Sequence, residues 1–298
     1  GQGRQGLVLV MDLTQAGRFT RMLTVSLVWR KRTLPLVWSV HLGTTGGVDA
    51  HAQTALLRQV EQWLPLGCCV VLLADAGFES LELVAWLLAH GWGFVLRRPG
   101  LQVVGRAVDR AVDRAVDRAV DPLSRSGLCL HWQRIDALPL HKGETQQFDG
   151  VYWGQPRRGR FRTDPAHLGP VTLVLHWRPQ EASPWYLFTS ETHAARAIRL
   201  YAKRMQVEQM YGDFKRHGFG LQASHLRHAD RLGRLMLVVA ICYVWCMALG
   251  SRVVKQGRRR LVDSKRRRDL SYFRLGLEWV TYCRRIGCLA LACLAPYP

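Results

Sequence analysis

The chain has 298 residues, 48% of them hydrophobic, and a formal net charge of +20. That length and apolar share exclude a disordered chain or a small stapled scaffold, and predict one large packed domain or one domain carrying an insertion. So large a positive excess favours a polyanionic partner, nucleic acid first, over a basic protein that is merely soluble.

From the N-terminus, Gly1–Gly6 leads straight into a strand-like run, so no secretory leader is expected. "LVLVMDLT" (Leu7–Thr14) is an apolar run ending in a carboxylate, the pattern of a buried strand. "RMLTVSLVWRK" and "TLPLVWSVHL" follow as antiparallel strands with a turn near Arg32–Thr33. Asp49 caps a helix predicted over about Ala50–Leu64, closed by Pro65 and Gly67. "CCVVLLAD" is a second buried strand, ending at Asp75. A helix over about Ser80–His90 then leads to the strand "GFVLRR". This order predicts an α/β fold, a mixed sheet flanked by helices, with a first part of the core over residues 1–99.

Residues 100–184 read as a β-rich insertion. It opens with "RAVDRAVDRAVDRAVD" (Arg106–Asp121), a neutral tetrapeptide repeat read as a tolerated surface excursion without chemistry. "LCLHWQRI", "GVYWG" and "VTLVLHWR" are strand-like. The core resumes over 185–255 with "WYLFTSE", helices to about His217, and the charge-free "LMLVVAICYVWCMALG" (Leu235–Gly250). That run is shorter than the roughly 20 residues a spanning helix requires, and predicts a buried core helix. A basic tail and helix occupy 256–298; the Arg/Lys run there suits a solvated face or phosphate contact.

The eight cysteines contain no CxxC pair and fit reduced thiols in a cytoplasmic protein. Cys283, Cys288 and Cys293 recur every five residues, which winds around a helix and predicts no zinc site there.

"YAKRMQVEQMYGDFKRHG" (Tyr201–Gly218) sets Glu208 among basic and aromatic residues. At ~100° per residue a regular helix would place Tyr201, Arg204, Glu208 and Lys215 within about 60° of one another. Two readings fit Glu208. It pairs with Arg204 at i,i+4, worth a few tenths of a kcal/mol, or it faces a phosphate backbone across a bound cation. Asp12 and Asp75 likewise suit either turn caps or ligands. Together the three carboxylates form an oxygen-only set suited to Mg²⁺ or Mn²⁺.

The spacing Y-x2-R-x3-E-x6-K, met by Tyr201, Arg204, Glu208 and Lys215, resembles the signature of a group of bacterial insertion-sequence transposases. Asp75-Ala76-Gly77-Phe78 is similar to the group's second-aspartate motif, and Asp12 fits its first. The resemblance implies a ribonuclease-H-like fold with a DDE site and a β insertion before the glutamate. It implies that Asp12, Asp75 and Glu208 hold two Mg²⁺ ions, for which Mn²⁺ can substitute. It implies cleavage at transposon ends and strand transfer into target DNA by a nucleoid-associated cytoplasmic protein, with no membrane partner and a synaptic homodimer. Tyr201, Arg204 and Lys215 would then hold phosphates. Trp185 would stack on a flipped base, or else be an ordinary core tryptophan. The group carries a helical DNA-binding domain before the first strand, whereas Asp12 lies almost at the start here; a fragment, or end recognition supplied elsewhere, is expected. The rivals are a catalytically inactive or domesticated remnant that only binds DNA, and another ribonuclease-H-like nuclease.

Overall fold

A computed structural model describes residues 6–78, 80–107, 130–153, 156–157, 160–161, 168–264, 266 and 268–288. All of the Arg106–Asp121 repeat beyond Ala107 lies outside the described residues. The strands are β1 (Leu7–Gln15), β2 (Thr20–Trp29), β3 (Arg32–Leu42), β4 (Val70–Ala74), β5 (Gly93–Arg97), β6 (Val103–Ala107), β7 (Leu130–Arg134), β8 (Thr145–Trp153), β9 (Pro156–Arg157), β10 (Arg160–Phe161), β11 (Val171–His176) and β12 (Trp185–Thr189). The α-helices are α1 (Ala50–Glu61), α2 (Leu81–Ala89), α3 (Ala194–Tyr201), α4 (Gln206–Gly212), α5 (Ala229–Lys255) and α6 (Tyr272–Arg285). They fall into two compact units, Gly1–Asp12 with Gly47–Met205, and Leu13–Gly46 with Gln206–Pro298.

In the first unit, Leu7–Met11 of β1 pairs in parallel with Val70–Ala74 of β4, which pairs in parallel with β5. Every residue of β4 is buried, so its sequence is a continuous apolar run without alternation. Beyond β5 the pairing becomes antiparallel through β12, β11, β8, β6 and β7. The strands described between 100 and 184 thus continue the same sheet, β9 and β10 excepted. The Asp49 carboxylate accepts a hydrogen bond from the Ala52 N–H and starts α1. The Ser80 hydroxyl accepts from Glu82 and Leu83 and starts α2. The first helix stops at Glu61, three residues sooner than the sequence suggested. Pro65 disfavours a helical conformation at Leu64, and the chain between them is turn.

The second unit is built on the hairpin of β2 and β3, paired from Thr20↔Leu42 to Trp29↔Arg32 with a register shift between Val25 and Ser26. Its turn falls at Arg30 and Lys31, with φ of 42° and 65°, rather than at Arg32–Thr33. Two successive left-handed residues match strand twist; Asn-Gly usually marks such a turn, which is why Arg-Lys concealed it. α4 and α5 pack on β3, and α5 packs on α6. At that crossing a Cβ on Gly250 would run into the Tyr272 carbonyl, and one on Gly276 into the Cys246 carbonyl.

Among the described residues, α5 is the helix long and apolar enough to cross a membrane. Half of its most apolar window is buried. The expectation of a buried helix is met on one face only. Met236, Val239, Tyr243 and Met247 are buried, whereas Leu237, Val238 and Ile241 are half exposed.

Candidate active site

The parallel register explains how two aspartates distant in sequence come to be neighbours. Met11 sits opposite Ala74, so Asp12 and Asp75 directly follow the last paired residues of adjacent parallel strands; Asp75 leaves β4 there, while β1 runs on past Asp12 to Gln15. The C-terminal side of such parallel pairing is where open α/β sheets present functional groups. Asp12 is buried, while the Asp75 side chain is 38% exposed.

Arg204 joins them. Its Nη2 donates to Oδ2 of Asp75 at 2.7 Å and to Oδ1 of Asp12 at 3.3 Å. The other oxygen of Asp75, Oδ1, accepts from the Gly77 N–H at 2.8 Å, and the Phe78 N–H donates to the Asp75 carbonyl at 3.1 Å. The Asp75-Ala76-Gly77-Phe78 stretch is therefore an Asx turn that orients its own carboxylate.

Tyr201, at the end of α3, is buried against the edge of Trp185, with ring centroids 5.0 Å apart. Burial, and next the Asp75 charge, push its phenol up to about 12, against the opposing effects of Arg204 and Arg97. Trp185 itself is only 6% exposed, and the Arg178 guanidinium covers its ring at 4.3 Å.

In the second unit, α4 carries Glu208 in its first turn, exposed. The helix buries Val207, Met210 and Tyr211. Several side-chain hydrogen bonds tie it to the hairpin. Tyr211 Oη and Thr24 Oγ1 share a hydrogen bond of 2.5 Å, Arg32 donates to Gln209 at 2.5 Å, and the Thr33 hydroxyl donates to the Met210 sulfur at 3.4 Å. With that face committed to the hairpin, Glu208 is turned to solvent. Lys215 lies in a π-helical turn, Asp213–His217, and its Nζ donates to Thr14 Oγ1 at 2.6 Å.

The four signature residues thus sit in four different backbone settings, α3, a 3₁₀ turn over Ala202–Met205, α4 and the π turn. The regular 100° phase does not run through them, because 3₁₀ winds tighter and π wider than α. Asp12, Asp75, Arg204 and Tyr201 are brought together in the first unit; Glu208 and Lys215 are placed in the second. Among the described residues no group of three or more His, Cys, Asp or Glu side chains is gathered as a metal-binding cluster.

Sequence reasoning missed Arg97, whose charge acts on the Tyr201 phenol, and Arg178. The paired arginines closing "GFVLRR", on the strand beside β4, were the available signal for Arg97. Arg178 gave none.

The family model described as "Transposase DDE domain" matches residues 12–245, so the chain belongs to that family of transposases. No curated protein matches. Among solved structures, the cryo-EM synaptic complex of piggyBac transposase with hairpin DNA is similar at 15% identity and a TM-score of 0.42. The likeness covers 95% of this chain and 54% of that one, so the chain spans about half the length of that transposase. The expected α/β class, a mixed sheet flanked by helices, holds, with parallel β1, β4 and β5 extended by antiparallel strands.

Proposed function

We propose that the chain cleaves DNA at transposon ends, dependent on divalent metal, and transfers the freed strand into target DNA. One observation supports this above the rest: Asp12 and Asp75 are near enough to share a single cationic nitrogen of Arg204. A divalent cation asks the same proximity of two carboxylates, and an oxygen-only donor set fits magnesium, with manganese able to replace it. Asp12, Asp75 and Glu208 would hold the metal, two ions by the family's chemistry. Held there, divalent metal would supply polarisation of the scissile phosphodiester and a more acidic attacking water.

The remaining roles belong to side chains. Arg204 and Lys215 supply N–H donors to phosphate oxygens. Burial keeps the Tyr201 phenol protonated, and its hydroxyl would donate to a phosphate. A base stacks on Trp185 only after Arg178 leaves the ring, an exchange of cation–π for base stacking worth ~1–3 kcal/mol. Arg258, Arg260, Arg266 and Arg268 are exposed and give the backbone of DNA a basic surface. A synaptic homodimer would bring two such sites to paired ends.

The test is cleavage of duplex DNA bearing the element's ends in Mg²⁺ or Mn²⁺ by Asp12→Ala, Asp75→Ala and Glu208→Ala. Each variant should bind DNA and fail to cut it. Retained cutting by any of them removes that residue from the site. A wild-type chain that binds the ends but never nicks them in Mn²⁺ is the DNA-binding remnant instead.

A further inference from the structure

Arg98 is the residue the chemistry above leaves unexplained. It follows β5, directly behind the Asp75 turn, and is 1% exposed. A buried guanidinium is costly unless its charge and donors are met. Here its Cζ lies 3.5 Å from the centre of the Trp153 ring and 5.8 Å from that of Phe188, and its Nη1 donates to the Phe78 carbonyl at 2.9 Å. Its backbone N–H is tied to the Tyr186 carbonyl at 2.8 Å, which fixes the root of the side chain.

Phe78 is the last residue of the Asx turn that orients Asp75. Its N–H closes the turn on the Asp75 carbonyl, and its C=O is the atom Arg98 holds. Both groups flank the Phe78 Cα, so the bond from Arg98 limits the freedom of the residue that closes the turn. We infer that Arg98 is a positioning residue for Asp75, anchoring the far end of its turn to a wall formed by Trp153 of β8. A strand of the predicted insertion thereby becomes a brace for the catalytic carboxylate. The inference rests on Asp75 being a metal ligand, as proposed above.

Three variants test it in the full chain: Arg98→Met, which keeps bulk without donors; Arg98→Lys, which keeps charge and one donor but no flat face; and Asp75→Asn as reference. The readouts are Mn²⁺ affinity by electron paramagnetic resonance of the free ion, DNA affinity, cleavage rate and cooperative melting. Arg98→Met should fold and bind DNA as before, while Mn²⁺ affinity and cleavage fall about 10–100-fold, the usual cost of losing a group that orients a ligand. Arg98→Lys should recover part of both. A folded Arg98→Met with unaltered Mn²⁺ affinity overturns the inference. So does a failure of both Arg98 variants to fold, which would assign the residue to the stability of the sheet. If Asp75→Asn itself keeps Mn²⁺ affinity and cleavage, it is the reading of the site that fails, and the two failures are thereby told apart.

Discussion

Nη2 of Arg204 lies 2.7 Å from Oδ2 of Asp75, the one oxygen of that carboxylate that the Gly77 N–H does not hold. A metal ion held by Asp75 as proposed would therefore compete with Arg204 for the same oxygen.

Arg204→Ala should consequently lose stability and regain it on adding metal. Removing one partner of a buried pair costs 3–5 kcal/mol in full burial; with Asp75 38% exposed, roughly 2–3 kcal/mol is expected, or about 5–10 °C in melting temperature. Millimolar Mn²⁺ should raise the melting point of the variant more than that of the wild type. Equal increments would show that the guanidinium and the ion do not share a site. DNA affinity should fall as well, its salt slope flattening by about one phosphate contact.

A second expectation concerns alkaline pH. Burial pushes the Cys246 thiol from 9.0 up to about 12, and Tyr243 is raised well above 10 by the same cause. The folded protein keeps protons that the unfolded chain releases. Stability is therefore whole below about pH 9 and declines as the pH rises toward 12. The Tyr243 hydroxyl is buried without a hydrogen-bond partner among the described residues, between Phe214 and Phe273. Tyr243→Phe should add about 1 kcal/mol at neutral pH and make the alkaline loss shallower. Chemical denaturation at pH 7, 9 and 10.5 measures both, and an unchanged pH dependence would discard the assignment.

Two glycines on one helix should respond with opposite signs. Gly250→Ala puts a methyl into the Tyr272 carbonyl and should force α5 and α6 apart, at about 2–4 kcal/mol. Gly233→Ala meets nothing closer than Val40 Cγ2 at 4.0 Å and should stabilise by about 0.5–1 kcal/mol. Urea unfolding of the pair gives both values; two losses of similar size would mean that helix packing is not what Gly250 provides.

Much of the sheet was legible because burial on both faces writes itself as uninterrupted aliphatic runs. "LVLVMD" and "VVLLAD" are such runs; the acid after the second marks the end of β4, whereas β1 continues past Asp12 to Gln15. The signature spacing found Arg204, but periodicity alone misjudged its surroundings. The chain passes from α to 3₁₀ to α to π within Tyr201–His217, and no residue preference separates those windings. Arg97 and Arg98 look like any charged strand ending. That one acts on the Tyr201 phenol by its charge and the other turns inward onto Trp153 is decided by aromatic residues remote in sequence, a tertiary fact. The Arg30–Lys31 turn escaped for the converse reason, since it uses residues with no liking for left-handed φ.

The attachment of α4 to the hairpin has a consequence for how such a protein drifts. Glu208 inherits its bearing from Thr24, Arg32 and Thr33, side chains some 177 to 187 positions away from their partners. Substitutions in that upstream ribbon would swivel the acid like a lever while leaving the signature intact. Two descendants with identical catalytic letters could then differ in competence, and a comparison restricted to those letters would not see it.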